Sequence, residues 1–353
     1  MADSYSQRLD RQLKPIRSSS PLVLDLFAGC GGLALGFEAQ GFATHGFEMG
    51  ADACATYRKN LFGQCTQAVL TTETCLPQAD VVIGGPPCQP FSVGGHQMGL
   101  RDSRDGFPIF IAAVKRLNPR LWMFENVRGL FYRNHWYLDE IVAALQELDY
   151  TVEVRLLNAV HYGVPQNRER VIVVGHRGRF DFPKCQPPVT AGEALGALAH
   201  SCSNDSKFLT ESMNDYVARY EAASKCIRPR DLHLDRPSRT LTCRNLAGAT
   251  GDMMRVCLPD GRRRRLTLEE AKRLQSFPDW FEFVGGETST FNQIGNAVAP
   301  LMASALARSV TEYLEYSSAG KPKFGARRRP VQAPLPMEFV GESLPFSTDL
   351  LAK

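Results

Sequence analysis

The stretch Pro21-Leu22-Val23-Leu24-Asp25-Leu26-Phe27-Ala28-Gly29-Cys30-Gly31-Gly32 decides the fold. Pro21 to Phe27 is a short apolar run, the glycines from Gly29 break it, and Leu33 to Gln40 then carries helix-compatible spacing up to Gly41. Strand, glycine turn and helix in that order put exposed backbone at the carboxyl edge of a parallel sheet, where nucleotides sit. The glycine spacing is not GxGxxG, which disfavours a nicotinamide or flavin. Glu48 ends the next apolar run, Ala43 to Glu48, at the place where such sheets hold a ribose; the plain alternative is a surface acid.

Working outward, Asp80 to Gly84, Leu121 to Asn126 and Val171 to Gly175 continue the strand series, with helices expected at Ala51 to Asn60 and Tyr137 to Leu148. This alternation predicts an α/β fold, a parallel sheet with helices on both faces. Residues 1–20 are polar, end in Ser18-Ser19-Ser20 and are expected to be a flexible leader. From about residue 177 to 287 the rhythm is lost, apart from two short helices opened by capping boxes, Thr190 with Glu193 and Thr267 with Glu270. Residues 177–287 therefore form a smaller, irregular second domain. The apolar helix from Val298 to Tyr316 returns to the first, which comprises 21–176 and 288–316, and the Gly-, Pro- and Arg-rich residues 317–353 make a flexible tail.

The 353 residues, 44% hydrophobic and 22% charged, have ordinary globular composition, which excludes a wholly disordered or fibrous chain. No apolar run approaches a membrane span and the first residues lack a secretory core, so a cytoplasmic protein without a membrane partner is expected. The ten cysteines contain no CxxC pair, so neither a metal site nor a disulfide framework is expected, and most should be reduced, buried small hydrophobes. The net charge of +4 hides local clusters, at Arg228, Arg230, Arg236, Arg239 and Arg244 and again at Arg262 to Arg265. A polyanion partner and a merely solvated surface explain these equally well.

Three segments carry chemistry. In Gly84-Gly85-Pro86-Pro87-Cys88-Gln89-Pro90-Phe91-Ser92, prolines stiffen the loop around one sulfur, which suits a held nucleophile whose thiolate a helix end or cation would favour. Glu125-Asn126-Val127 ends an apolar strand, where a carboxyl can serve as a proton donor; a structural strand-end acid is the alternative. In Gln166-Asn167-Arg168-Glu169-Arg170 the two arginines share a face if the segment is extended, and can clamp an anion or carbonyl oxygen.

In kind, order and spacing these segments, with Gln293-Ile294-Gly295-Asn296-Ala297-Val298, resemble the C5-cytosine DNA methyltransferases from about residue 21 to residue 310. The resemblance implies a Rossmann-like sheet that binds S-adenosylmethionine, leaving S-adenosylhomocysteine as product. It implies Cys88 as nucleophile toward C6 of a flipped cytosine, Glu125 at N3, Arg170 on the base carbonyl and Arg168 nearby to orient the site. It places Phe27, Gly29, Gly31, Leu33, Glu48, Gln67, Pro87, Leu100, Asn296 and Val298 at the cofactor, and makes Val93 to Gly99 a loop that closes over DNA. Residues 177–287 become a target-recognition domain. Gln89, Ser92, Arg228, Arg230, Thr240, Arg244 and Asn245 are then the candidate contacts to double-stranded DNA.

The implied protein is a monomer, the modification enzyme of a restriction-modification system paired with a cognate endonuclease. An RNA (tRNA) cytosine methyltransferase is the nearest alternative, although its Cys-Phe-Thr signature is absent; a DNA-binding regulator without activity is the other. The chain departs from the family pattern in three places. Gln67-Ala68-Val69 stands where an acid meeting the adenine is frequent, Asp105 where glycine is common, and Ala299 where proline is usual.

Overall fold

The computed structural model describes residues 3–88, 105–202, 206–223, 230–248 and 252–318. The strands of its central sheet are β1 (Leu22–Leu26), β2 (Ala43–Glu48), β3 (Gln64–Gln67), β4 (Val81–Gly84), β5 (Leu121–Val127), β6 (Thr151–Asn158) and β8 (Glu169–His176), ordered β3-β2-β1-β4-β5-β8-β6. The first five pair in parallel, whereas β8 runs antiparallel to both β5 and β6. The wholly parallel sheet expected from the sequence is thus corrected to a mixed one. Only a single 3-10 turn, Ala159–Tyr162, and the two-residue β7 (Gln166–Asn167) separate β6 from β8, too short a link for a crossover, so the chain returns beside β6 in the opposite direction.

Alternation along the strands covers both faces of the sheet. Val23, Val81, Ile83, Leu121, Met123, Ile172 and Val174 pack against α2 (Gly32–Glu38) and α12 (Pro300–Ser318). Leu24, Leu26, Val82, Trp122, Phe124, Val171 and Val173 face α4 (Phe107–Leu117) and α6 (His135–Gln146) instead. Both sets are fully or almost fully buried, which is why these strands are short unbroken apolar runs. The carboxyl ends of β1, β2 and β4 are followed by the glycine turn, by α3 (Ala51–Asn60) and by the proline-rich loop. The short α5 (Arg128–Tyr132) follows β5.

The stretch expected to be a flexible leader contains α1 (Tyr5–Gln12), started by a reciprocal capping box between Ser4 and Gln7. Its Tyr5 and Leu9 stripe, with Leu13, is buried in the core shared by α2 and α12. Polarity averaged over the segment concealed this spacing. The helix expected from Val298 starts at Pro300 and runs through the first two residues assigned to the tail; the remainder, 319–353, lies outside the described residues.

The stretch proposed as a second domain contributes to a further hydrophobic cluster, in which Leu241, Leu246, Met254, Val256, Ala271 and Leu274 meet Phe291 and Ile294 of α11 (Glu287–Asn296), a helix that the expected boundaries place in the first domain. Around it lie α7 (Ala191–Leu195), α8 (Glu211–Ala223), β9 (Ser238–Arg239), α9 (Cys243–Ala247), β10 (Arg255–Cys257), β11 (Arg263–Arg265) and α10 (Leu268–Leu274). The capping boxes at Thr190 and Thr267 are both formed. β10 and β11 make a hairpin, and β7 and β9 pair in parallel to join this domain to the sheet. The described cysteines are all free; Cys30, Cys54 and Cys65 are buried, but Cys75, Cys185, Cys202 and Cys257 are exposed, which corrects the expectation that most serve as core residues.

Candidate active site

At the end of β1 the chain turns with Phe27 in the left-handed region (φ 60°), a conformation an aromatic residue adopts only under constraint. Glu48 fixes this turn from the neighbouring strand: its carboxylate accepts from the amides of Gly29 (2.9 Å) and Gly50 (2.7 Å). Gln67 lies opposite Glu48 in the β2–β3 register and is exposed. Close approach requires Gly32, because a Cβ there would stand 2.5 Å from the carbonyl oxygen of Val298. The turn after β1 and the segment Asn296–Val298, 264 residues apart from Gly32 to Asn296, therefore touch. Asn296 is exposed at this junction, whereas the Leu33 side chain points into the core and leaves only its backbone near the turn.

Beneath the turn lies Asp25, 1% exposed, with neither carboxylate oxygen hydrogen-bonded. Burial first, and the charge of Glu48 second, push its pKa up to about 8. Sequence reasoning passed over this residue because an acid inside an apolar strand carries no motif signal of its own. An unpartnered buried acid is costly, so Asp25 is a group for which the described residues supply no partner.

The candidate catalytic end is assembled by β4, β5 and β8. Asn126 donates from Nδ2 to the Pro86 carbonyl (2.9 Å) and the Gly106 amide donates to the Pro87 carbonyl (3.0 Å), which pins the proline-rich loop between β5 and the start of α4. In the β5–β8 register Val127 faces Arg170, and Arg170 Nε lies 2.8 Å from Glu125 Oε1, both side chains about nine-tenths buried. Burial pulls the Arg170 guanidinium below its ordinary value and Glu125 opposes the shift.

Cys88 is half-buried in this loop, and its thiol is pushed up to about 12, chiefly by burial and next by Asp105. The expectation that a helix end or cation would favour the thiolate is therefore corrected: here the resting sulfur is protonated. Asp105 is 3% exposed and accepts from the Phe107 amide (3.2 Å) and the buried Tyr137 hydroxyl. The sequence showed Asp105 only as a departure from a familiar glycine, and Tyr137 gave no signal.

Arg168 does not share a face with Arg170. It lies between β7 and β8, 2% exposed, and donates to the carbonyls of Leu241 (2.8 Å), Gly295 (3.1 Å) and Ala297 (2.9 Å). Burial, with the nearby charge of Arg170, pulls its pKa down to about 9. Its guanidinium is spent on backbone carbonyls of two other segments, so any orienting action on the site runs through the chain it holds. Gln166 adds to the same seam, accepting from the Leu241 amide (2.9 Å) and donating to Gln275 Oε1 (2.6 Å).

The candidate DNA contacts fare unevenly. Arg244 is exposed on α9, and Thr240 donates to the Asn167 carbonyl (2.5 Å). Asn245, 3% exposed, is turned inward: its Oδ1 accepts from the Thr242 amide at the start of α9 and its Nδ2 donates to the Thr240 carbonyl (2.8 Å). Arg230 and Arg239 both pair with Asp252 at 2.8 Å, while Arg255 and Arg264 are fully buried against Glu221 with Asp231 and against Glu270. Part of the positive charge of this region is thus neutralised by its own acids. Gln89, Ser92, Leu100, Arg228 and the Val93 to Gly99 loop lie outside the described residues. Among the described residues no group of three or more His, Cys, Asp or Glu is gathered for a metal, and no helix is long and apolar enough to cross a membrane.

A glycine turn held by an acid at one strand edge, beside a loop cysteine, a buried carboxylate and its arginine at the next, has the make-up of an α/β group-transfer enzyme. Residues 22–312 match the profile of the C-5 cytosine-specific DNA methylases, and the chain belongs to that family. It is 57% identical over 318 residues to the type II methyltransferase M.AplI of Arthrospira platensis, covering 88% of this chain and 92% of that protein. With the type II methyltransferase M.NgoFVII of Neisseria gonorrhoeae it shares 32% identity over 344 residues, covering 86% and 90%. The solved structure of the Entamoeba histolytica methyltransferase EhMeth has the same fold, with a TM-score of 0.65 at 18% identity over 84% of this chain and 99% of that one.

Proposed function

We propose that this C5-cytosine DNA methyltransferase acts on a specific duplex sequence through a covalent bond between Cys88 and C6 of a flipped cytosine, as the modification enzyme of a restriction-modification system. The naming of M.AplI and M.NgoFVII as type II methyltransferases supports the last part. The observation that carries the chemistry is the Glu125–Arg170 pair, seated next to the Cys88 loop through the bond from Asn126 to Pro86.

The residues at the β1–β2 edge fit S-adenosylmethionine. Asp25 offers an unpartnered carboxylate for a cationic centre, Glu48 and Gln67 line the neighbouring strand ends, and Gly29, Gly31, Asn296 and Val298 supply backbone and closure. When bound, this group provides an electrophilic methyl on a sulfonium. The chain's own residues perform the rest. Cytosine C5 is too weak a nucleophile until the ring is activated, so the Cys88 sulfur, once deprotonated, adds to C6. Glu125 holds and protonates N3 as negative charge reaches the ring, and Arg170 keeps Glu125 in place and contacts the base carbonyl. After C5 is methylated, loss of its proton allows elimination of Cys88 and restores aromaticity. None of these contacts can be made inside a stacked duplex, which requires base flipping.

The test is an oligonucleotide duplex pool with 5-fluorocytosine in place of cytosine, incubated with S-adenosylmethionine. A denaturant-resistant adduct mapping to Cys88 is expected, and none with Cys88→Ala. Glu125→Gln is expected to bind DNA but to lower methyl transfer by about 10²-fold or more. An adduct on another side chain refutes the assignment.

A further inference from the structure

We infer that Arg168 is a positioning residue that couples DNA engagement by the second domain to closure of the cofactor pocket, an inference that rests on the function proposed above. Three segments converge on it. Its Nη1 holds the Leu241 carbonyl, which lies immediately before α9, and its Nη2 holds the carbonyls of Gly295 and Ala297, which flank Asn296. Arg168 also immediately precedes β8, whose Arg170 pairs with Glu125. One buried guanidinium therefore joins the recognition segment, the cofactor-closing turn and the base pocket.

The recognition and cofactor sides also touch each other directly. A Cβ at Gly295 would stand 2.6 Å from the Cys243 amide nitrogen, so only glycine lets the end of α11 seat on the start of α9. The Cys243 thiol donates to Asn296 Oδ1 (3.0 Å), while the next residue, Arg244, is exposed on α9. A contact made at Arg244 is therefore one residue and one hydrogen bond away from Asn296. Ordering this seam by one ligand removes the ordering cost for the other, which is positive coupling without a large movement. Lysine cannot reproduce it, since a single ammonium lacks the planar fork that spans separate carbonyls.

The experiment measures the dissociation constant of S-adenosylhomocysteine by calorimetry, alone and with saturating duplex DNA that the wild-type enzyme methylates. In the wild type, DNA is expected to tighten this binding about tenfold, and the ligand to tighten DNA binding by the same factor, as linkage demands. Arg168→Lys is expected to reduce the factor to within about twofold of unity, and Cys243→Ala, which leaves Arg168 and the fold intact, to an intermediate value. A merely structural role would weaken both affinities and leave their ratio unchanged, and that result in either variant overturns the inference. A wild-type factor of one overturns it as well while leaving the methyltransferase reading standing; failure of the wild type to bind S-adenosylhomocysteine at all sinks both.

Discussion

The protonated state of Cys88 has a measurable consequence. With its thiol pushed up to about 12, only about one sulfur in ten thousand is ionised at pH 8, against roughly a quarter for an ordinary cysteine near 8.5. Alkylation by iodoacetamide at pH 8 should therefore run on the order of 10³-fold slower at Cys88 than at a free thiol, since the thiolate is the reactive form. Restricted access also slows a half-buried sulfur, so the slope decides: the rate should climb about tenfold per pH unit from 8 to 10 with no plateau. Peptide mapping against the exposed Cys75 resolves the site. Asp105→Asn removes one of the two causes and should speed Cys88 alkylation at fixed pH on the order of tenfold, while burial keeps the thiol above its ordinary range. Tyr137→Phe retains the Asp105 charge but removes its hydroxyl anchor, so it should change the rate little. A plateau above pH 9 in the wild type, or an equal acceleration by Tyr137→Phe, would refute this account of the charge at Cys88.

Asp25 predicts the pH dependence of stability. An acid raised to about 8 when folded favours the native state fully below its unfolded value near 3.9, and that contribution is lost as pH rises toward 8. Asp25→Asn should thus gain stability relative to wild type between pH 5 and 8.5, by up to about 5 kcal/mol, in urea unfolding; a pH-independent difference contradicts it. Glu270→Gln keeps the cap on α10 but leaves the buried Arg264 unpaired, at a cost of about 3–5 kcal/mol, and adding Arg264→Met should recover part of the loss. Leu9→Ala should cost about 2–5 kcal/mol if α1 is docked as described, whereas a change below about 0.5 kcal/mol would mean that the helix is detached.

The sequence disclosed those parts of the molecule whose chemistry is local. β2 and α3 fall on their expected limits because Glu48 and Asn60 end unbroken patterns, and the caps at Thr190 and Thr267 are read from residues three apart. The candidate site residues stand at strand ends and in stiff loops, where side-chain type and position coincide. What escaped depends on partners distant in sequence. Asn245 looks like a base reader until Thr242 and Thr240 claim its amide, and Arg168 looks like the twin of Arg170 until Gly295 and Ala297 are seen beside it. The paired arginines of the second domain belong to the same class, since Asp252 and Glu270 give no hint of whom they meet. Strand β6 was missed because its residues are only partly covered, which blurs the period that marks a strand.

The groove over α2 is filled by Leu301, Met302, Leu306 and Val310, which come almost at the end of the described chain. On the ribosome, the glycine turn and the cysteine loop emerge long before the helix that roofs their supporting layer. A nascent chain therefore exposes a greasy trough until residues 301–310 have been made, and a message cut short upstream of residue 300 yields a protein with every candidate reactive group but no rigid floor beneath them. Supplying α12 as a separate peptide offers a direct way to switch such a fragment on.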